Sequence, residues 1–198
     1  MKQTVIVALA LSTLLGACQY KSVNAPALSE RDAEYIALVP KFEHHITQLP
    51  YEITDPTGLP PGSIKVDTVE KYLYFVLPNK KAIRYAVATG DEAFGWTGEA
   101  TMQRKAEWPR WTPPAEMIKR WPHLAPRAGG MEGGPDNPLG ARALYLYQNG
   151  KDTLYRIHGT NEPETIGRSA SSGCIRMRNI DVIDLYNRVT VGTKVVVV

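Results

Sequence analysis

A histidine and a cysteine sixteen residues apart are the pair most able to do chemistry in this sequence. His158 follows a segment with strand character and precedes Gly159, and Cys174 ends the loop that begins Ser171-Ser172-Gly173. A thiolate is a strong nucleophile, and a neighbouring imidazole can accept its proton. We therefore predict that a loop folds back to bring the two side chains together. Cys174 would be the nucleophile, and His158 the general base and then acid.

The residues around this cysteine predict how a reacting carbonyl would be held. Backbone amides of Ser172, Gly173 and Cys174 could form an oxyanion hole, because glycine lets a backbone approach a ligand closely. Arg176 lies two residues beyond the nucleophile, on the same face of an extended segment, and its guanidinium suits a substrate carboxylate. A salt bridge to Asp181 or another acid is the alternative for Arg176. Ser171 is predicted either to contact substrate or to hydrogen-bond within the loop.

The first eighteen residues predict export and lipid attachment. Lys2 precedes an apolar run of about a dozen residues, which is too short to span a bilayer and suits a secretory signal over residues 1–17. The run ends in Leu15-Gly16-Ala17-Cys18, which resembles a bacterial lipobox, so Cys18 is the expected lipidation site. An incidental cysteine after a simple signal peptide is the alternative. Gln19 in place of aspartate then implies the periplasmic face of the outer membrane, with the lipid as the membrane contact.

The sequence has two cysteines, and the predicted lipid changes what the second one means. In an exported protein, two cysteines favour a disulfide. A lipid on Cys18 makes that pairing unavailable and leaves Cys174 as a lone thiol in an oxidising compartment. Such a thiol favours a chemical role.

The remaining 180 residues must position this pair. A chain of 198 residues with 43% hydrophobic and 22% charged residues is typical of a globular protein and excludes collagen-like, coiled-coil and wholly disordered classes. The net charge of +3 is not clustered, so no nucleic-acid partner is expected. We predict a lipidated N-terminus, tether and lead-in over residues 18–62, with a linker at 49–62, and a catalytic domain over residues 63–198.

Short apolar segments separated by turn residues predict a mainly β domain, β-sandwich or barrel-like, with a few short helices. An Asn149-Gly150 turn predicts a hairpin between two of the strands. The strands are expected at Ile64–Asp67, Tyr72–Leu77, Ala82–Ala88, Ala143–Tyr147, Thr153–Ile157 and Lys194–Val198. The helices are expected at Ser29–Leu38, Pro114–Arg120 and Ile180–Arg188.

The segments Ile157-His158-Gly159-Thr160 and Ser171-Ser172-Gly173-Cys174-Ile175-Arg176 together resemble the catalytic motif of the L,D-transpeptidase family, the YkuD domain. The resemblance extends from about Ser63 to Val198 and includes the stretch from Gly133 to Gly140 and Asp181. One departure is Ser172, because many members of the family carry histidine or arginine there.

This resemblance implies attack by Cys174 on the third residue of a peptidoglycan tetrapeptide stem, forming a thioester and releasing D-Ala. It also implies that the Gly159 carbonyl orients His158, that no metal or cofactor is needed, and that carbapenems acylate the thiol. The acceptor could be a second stem, giving 3-3 cross-links, the N-terminus of an outer-membrane protein, or a free D-amino acid. Water as acceptor would make the enzyme a carboxypeptidase.

Two other functions remain open from sequence alone. One is a thiol hydrolase of the same stems, and the other is a peptidoglycan-binding lipoprotein without catalysis. All four tryptophans lie within the Pro-rich segment 94–126, where core or lid packing is the expected role and stacking on sugar rings is the alternative. His44 and His45 lack a completing ligand pattern and are expected at the surface rather than on a metal.

Overall fold

A ten-stranded β-sheet with a separate two-stranded sheet dominates the computed structural model, which describes residues 20–90, 96–171 and 173–198. The strands are β1 (Lys21–Ser22), β2 (Tyr51–Thr54), β3 (Ile64–Asp67), β4 (Tyr72–Leu77), β5 (Lys81–Ala86), β6 (Thr89–Gly90), β7 (Gly98–Glu107), β8 (Arg142–Gln148), β9 (Lys151–His158), β10 (Ser169–Ser171), β11 (Ile175–Arg176) and β12 (Lys194–Val197). The helices are α1 (Glu30–Leu38), α2 (Ala115–Arg120) and α3 (Asn179–Arg188), with short 3-10 helices at Ile46–Gln48, Pro122–Arg127 and Pro163–Thr165.

The large sheet runs in the order β1-β2-β5-β4-β3-β12-β7-β8-β9-β11, and β10 pairs with β6 in the small one. The predicted meander is present, because β4 lies between β3 and β5 and pairs antiparallel with both. Alternate residues of β4, such as Leu73 and Phe75, are buried in the core, as expected for a strand with one covered face. The prediction of a mainly β domain with few helices is confirmed.

The hairpin of β8 and β9 determines where the histidine lies. Its turn consists of Asn149 at φ 52° and Gly150 at φ 74°, both left-handed as a tight two-residue hairpin requires. Ala143 then pairs with His158 across the hairpin, at the end of β9. The Asn-Gly prediction is confirmed. An irregularity in the pairing between Tyr147 and Tyr145 then shifts the register, and the shifted register places His158 opposite Ala143.

The C-terminal elements close the core. Strand β12 lies between β3, which it meets in parallel, and β7, which it meets antiparallel. Helix α3 buries Val182, Ile183 and Leu185 against the same core. Among the described residues, no helix is long and apolar enough to cross a membrane.

The segment before residue 63 is docked onto the sheet. The expectation of a linker over residues 49–62 is wrong at β2, which pairs antiparallel with β5, and β1 extends the sheet by pairing with β2. Helix α1 begins after Ser29, whose side chain accepts a hydrogen bond from the Asp32 amide while Asp32 caps Ser29 in return. The lead-in therefore forms the outer strands of the sheet and a packed helix.

A buried ion pair fastens α1 to β8. Arg142 donates to both carboxylate oxygens of Asp32 at 2.8 Å, and the indole Nε1 of Trp108 donates to the same carboxylate at 2.8 Å. The two charged side chains are only 5% and 3% exposed. Burial opposes ionisation of Asp32, but hydrogen bonds from Arg142, Ser29 and Trp108 outweigh it and hold the pKa of Asp32 below its ordinary value of 3.8.

Asp32→Asn is expected to destabilise the protein by about 3–5 kcal/mol, because it leaves the buried Arg142 guanidinium without a counter-charge. Denaturant unfolding at neutral pH measures this loss. Since the folded-state pKa of Asp32 is depressed, its stabilising contribution is present above pH 3.8 and is lost as the pH falls below it. The difference in the free energy of unfolding between wild type and variant should therefore become smaller in acid.

The matched control is Arg31→Gln on the same helix. Arg31 pairs with Glu107 at 3.2 Å, but the two side chains are 51% and 47% exposed. Water screens such a pair, so the control should cost less than about 1 kcal/mol. Equal losses from the two variants would contradict the importance of the buried pair.

Candidate active site

The pairing of β11 with β9 brings the predicted catalytic residues together. The two strands are parallel, with Ile175 opposite Ile157 and Arg176 opposite His158. Because side chains alternate across a strand, Cys174 and Arg176 share the face of His158, while the two isoleucines turn into the core. Cys174, His158 and Arg176 all line one cavity of about 550 Å³. The cysteine loop therefore returns to the end of β9, as expected, but the thiol donates to the Leu154 carbonyl, and direct contact between the sulfur and the imidazole stays a prediction.

The cysteine loop is shaped by its glycine and its first serine. Gly173 has φ 120°, a conformation that favours glycine, and it lies against Gly90, where an added Cβ would come within 2.6 Å of the Gly173 Cα. Ser171 donates its hydroxyl to the carbonyl of Cys174 and accepts from the Gly173 amide at 3.2 Å. Ser171 is thus both a loop residue and part of the cavity wall.

These contacts bear on the predicted oxyanion hole. In this conformation the Gly173 amide is engaged with Ser171, so an oxyanion would have to displace the Ser171 hydroxyl to use it. Ser172 lies outside the described residues, as does the predicted lipidation site, Cys18. The oxyanion hole of Ser172, Gly173 and Cys174 amides stays a prediction.

The thiol of Cys174 is half-buried against β9. It donates to the carbonyl of Leu154, with 3.9 Å between Sγ and the oxygen. Burial raises the pKa of Cys174 above 9.0, and the charge of Asp152 acts in the same direction. The backbone amide and the charge of Arg156, and then the charge of Arg176, oppose this rise. The resting nucleophile is therefore a protonated thiol that must lose its proton to react.

His158 is held as a neutral base. Its Nδ1 donates to the carbonyl of Gly159 at 2.6 Å, the contact that the family resemblance implied, so in the neutral ring Nε2 carries the lone pair. The carbonyl of Pro138 also lies within hydrogen-bonding reach of the ring. His158 is only 4% exposed. Burial, and then the charge of Arg176, lower the pKa of His158 to about 3, against the opposing effect of the Gly159 carbonyl. A neutral imidazole at the cavity can accept the thiol proton.

An asparagine that the sequence analysis missed holds the turn after this histidine. Asn179 Oδ1 accepts from the amides of Ala141 and Thr160 at 3.0 and 3.1 Å, and its Nδ2 donates to the Thr160 carbonyl at 2.8 Å. A Cβ at Gly159 would clash with Asn179 Oδ1, so glycine is required there for close approach. Asn179 keeps the Gly159 carbonyl in place for His158.

Arg176 forms a salt bridge, which was the alternative considered from sequence, but its partner is Glu162 and not Asp181. Its Nη1 donates to Glu162 at 2.6 Å, whereas Asp181 pairs with Arg178. The Arg176 side chain is 18% exposed and Glu162 is 51% exposed, and both line the cavity. A substrate carboxylate would compete with Glu162 for the guanidinium, so substrate binding by Arg176 stays a prediction.

A further part of the cavity lining comes from Trp111 and from the segment of α2 and the 3-10 helix at Pro122–Arg127. We call it the aromatic wall; its cavity-lining residues are Trp111, Met117, Trp121, His123, Leu124 and Arg127. The tryptophans therefore divide between roles. Trp108 is buried in the core and Trp96 stacks on Tyr155, while Trp111 and Trp121 face the site.

The histidines of the lead-in do not join the site. His45 is exposed and caps the 3-10 helix at Ile46–Gln48, and His44 contacts Phe42 edge to face. Over residues 20–90, 96–171 and 173–198, no group of three or more His, Cys, Asp or Glu side chains is arranged to hold a metal ion.

Comparison with known proteins supports the motif. Residues 61–197 match the family model of the L,D-transpeptidase catalytic domain, YkuD. The probable L,D-transpeptidase ErfK/SrfK of Escherichia coli (strain K12) is 34% identical over 169 residues, which cover 81% of this chain and 51% of that protein. The chain spans about half the length of the curated relatives it matches.

Two solved structures are similar in fold. One, from Brucella melitensis and described as a probable carnitine operon oxidoreductase, is 50% identical and covers 84% of this chain and 99% of its own, with a TM-score of 0.52. The other is the catalytic domain of the Enterococcus faecium L,D-transpeptidase, 17% identical, covering 72% of this chain and all of its own, with a TM-score of 0.51. At that identity the second shows the fold alone.

Proposed function

Because this chain belongs to the L,D-transpeptidase family of YkuD catalytic domains, we propose that it modifies peptidoglycan by acyl transfer through a thioester on Cys174. The observation that carries the proposal is that Cys174 and His158 line one cavity, with His158 held through Nδ1 so that Nε2 can act as base. Family membership supports a peptidoglycan-modifying transpeptidase. The donor, the acceptor and the individual steps are our proposal.

The first half-reaction transfers the acyl group to sulfur. His158 takes the thiol proton, and the thiolate attacks the carbonyl between the third and fourth residues of a tetrapeptide stem. The tetrahedral intermediate collapses with cleavage of the C–N bond, and the imidazolium returns the proton to the departing D-Ala amine. The products are the Cys174 thioester and free D-Ala.

The second half-reaction restores the enzyme. An acceptor amine attacks the thioester carbonyl and loses a proton to His158, after which the C–S bond breaks and the thiolate is reprotonated. A diaminopimelate amine of a second stem gives a 3-3 cross-link, and a protein amine gives an attached protein. Attack by water through the same residues gives the carboxypeptidase outcome.

The cavity is suited to a peptide donor. It combines the aromatic wall with the charged side chains of Arg176 and Glu162, and this mixture of apolar surface and a few polar groups is typical of ligand sites. The oxidoreductase name belongs to the Brucella protein. The present sequence carries no G-x-G-x-x-G dinucleotide fingerprint, and its thiol–imidazole pair favours acyl transfer.

We place the reaction in the cell envelope as part of the same proposal. The apolar run before Cys18 supports export, the residues up to Cys18 support attachment of lipid, and Gln19 supports retention at the outer membrane. Mass spectrometry of the protein recovered from envelope membranes tests this, since an N-terminus other than an acylated Cys18 would contradict it.

Purified disaccharide-tetrapeptide, followed by mass spectrometry of its products, tests the function. We expect a dimer that has lost one D-Ala, which distinguishes transpeptidation between stems from its alternatives. Tripeptide without dimer would identify a hydrolase or an enzyme that needs another amine, and peptides with protein N-termini would then be supplied. Binding of the muropeptide without any change of mass would contradict catalysis and favour the binding lipoprotein.

A further inference from the structure

We propose that Arg156 is a positioning residue that supplies positive charge to the Cys174 thiolate, and that Asp152 limits how much of that charge the sulfur experiences. The inference rests on the proposed function only in taking Cys174 as the nucleophile. Neither residue belongs to the predicted motif, and neither is among the residues that line the cavity.

The strand register places Arg156 beside the nucleophile. Ile175 is opposite Ile157 in the parallel pair of β11 and β9, so Cys174 lies next to Arg156, one position earlier on each strand. Arg156 is two residues before His158 and shares its face of β9. The thiol donates to Leu154 at 3.9 Å, which shows that the sulfur lies along the Leu154–Arg156 backbone.

The guanidinium of Arg156 is held rigidly. Its Nη1 and Nη2 donate to the two oxygens of Asp152 at 2.6 and 2.8 Å, and Nη1 also donates to the Tyr155 carbonyl at 2.9 Å. Its Cζ lies 4.5 Å from the centre of the Tyr145 ring, and the side chain is only 13% exposed. A fixed and largely buried charge is screened little by water, so it can act on a neighbouring sulfur.

Asp152 connects this cation to the backbone that contacts the sulfur. Its Oδ1 accepts from the Leu154 amide at 2.8 Å, and Leu154 has φ 63°, in the left-handed region. The carboxylate thus supports the bend that aims the Leu154 carbonyl at the thiol. At the same time, its negative charge partly cancels that of Arg156.

Charged and titratable groups from every neighbouring element face the thiol or its cavity. They are Asp152, Arg156 and His158 on β9, Arg176 on β11, its partner Glu162, His123 and Arg127 on the aromatic wall, and Arg104 on β7, whose charge acts on Asp152. Arg156 differs from the others because it acts through both backbone and side chain: its amide and its charge are the largest influences that hold down the raised pKa of Cys174. Asp152 acts in the opposite direction.

The test is that substitutions of Arg156 and Asp152, the two partners of one ion pair, should shift the pH midpoint of alkylation in opposite directions. The full chain carrying Cys18→Ser has Cys174 as its single thiol, and its alkylation by iodoacetamide is followed across pH. Arg156→Gln should slow alkylation at neutral pH by about threefold to tenfold and move its midpoint to higher pH. Asp152→Asn should accelerate alkylation at neutral pH and move the midpoint to lower pH.

A matched control removes an equal charge nearby. Arg104 is exposed and also contacts the Tyr145 ring, with Cζ 4.3 Å from its centre. Arg104→Gln should leave the alkylation midpoint unchanged. Arg156→Lys keeps the charge and should retain most of the wild-type rate, which tests the proposal even if Arg156→Gln does not fold.

Slower alkylation in both Arg156→Gln and Asp152→Asn would overturn the proposal, because breaking the same ion pair would then act only through structure. An unchanged midpoint in Arg156→Gln, or an equal shift in Arg104→Gln, would also overturn it. Alkylation needs no peptidoglycan, so a failure of the muropeptide assay leaves this result independent.

Discussion

Cys174→Ala is expected to lower turnover of disaccharide-tetrapeptide by about 10⁴-fold or more, because alanine has no nucleophilic atom that could form the acyl-enzyme. The loss should reside in the first half-reaction. Incubation with tetrapeptide or with a carbapenem should give no mass adduct on the variant, whereas the wild-type chain gains an adduct on the peptide that contains residue 174. Mass spectrometry of the intact protein measures this directly.

Folding should survive this change. The sulfur is half-buried and its hydrogen bond to Leu154 is long, so its removal costs little packing. Cys174→Ser is the matched control, since it keeps a hydrogen-bonding group of similar size but a far weaker nucleophile. Substantial dimer formation by Cys174→Ala, with an unchanged melting temperature, would contradict covalent catalysis at this residue.

His158→Ala is expected to slow acylation by about 10² to 10⁴-fold while leaving the thiol in place. In the proposed mechanism Nε2 takes the proton, because Nδ1 donates to the Gly159 carbonyl. Carbapenem acylation isolates this step from any effect on the acceptor. His45→Gln is the control, because it removes an exposed histidine far along the chain from the motif. It should leave the acylation rate unchanged, which shows that the effect is specific to His158.

The pH dependence of acylation by the wild-type protein should also report His158 as the base. Burial lowers the pKa of His158 to about 3, so the imidazole stays neutral and competent as the pH falls below 6.5. Its contribution to the rate should therefore fall only as the pH approaches that lower value. An acid limb centred near 6.5 and absent from His158→Ala would show that the histidine is protonated like an exposed one, against the buried geometry.

The parts of the fold that the sequence predicted are those governed by local pattern. The meander of β3 to β5, the Asn149-Gly150 turn and the helix ending at Arg188 follow from alternation, turn chemistry and helical spacing. Strand β7 was missed because it is largely polar, with only Ala100 and Met102 buried, and it takes its place from pairing with β8 and β12. Strand β2 was hidden by the prolines and glycines around it.

The site divides in the same way. Cys174, His158 and Gly159 lie in short motifs and were predicted, whereas Glu162 and Asn179 act through contacts that depend on the folded loops. Arg156 is an intermediate case, because the alternation of a strand places it on the face of His158. Its importance depends on the register of β11, which no local pattern reveals.

The docked lead-in limits how far the enzyme can work from a membrane. Ordered pairing begins at Lys21, three positions after Cys18, so a lipid at Cys18, as proposed, would be joined to the sheet by at most about 11 Å of chain. Such a protein could not move far from the membrane into the periplasm. The enzyme would stay at the bilayer surface and reach only the layer of the wall that lies against the membrane. Its choice of stem would then depend on the distance of the stem from the membrane as well as on chemistry.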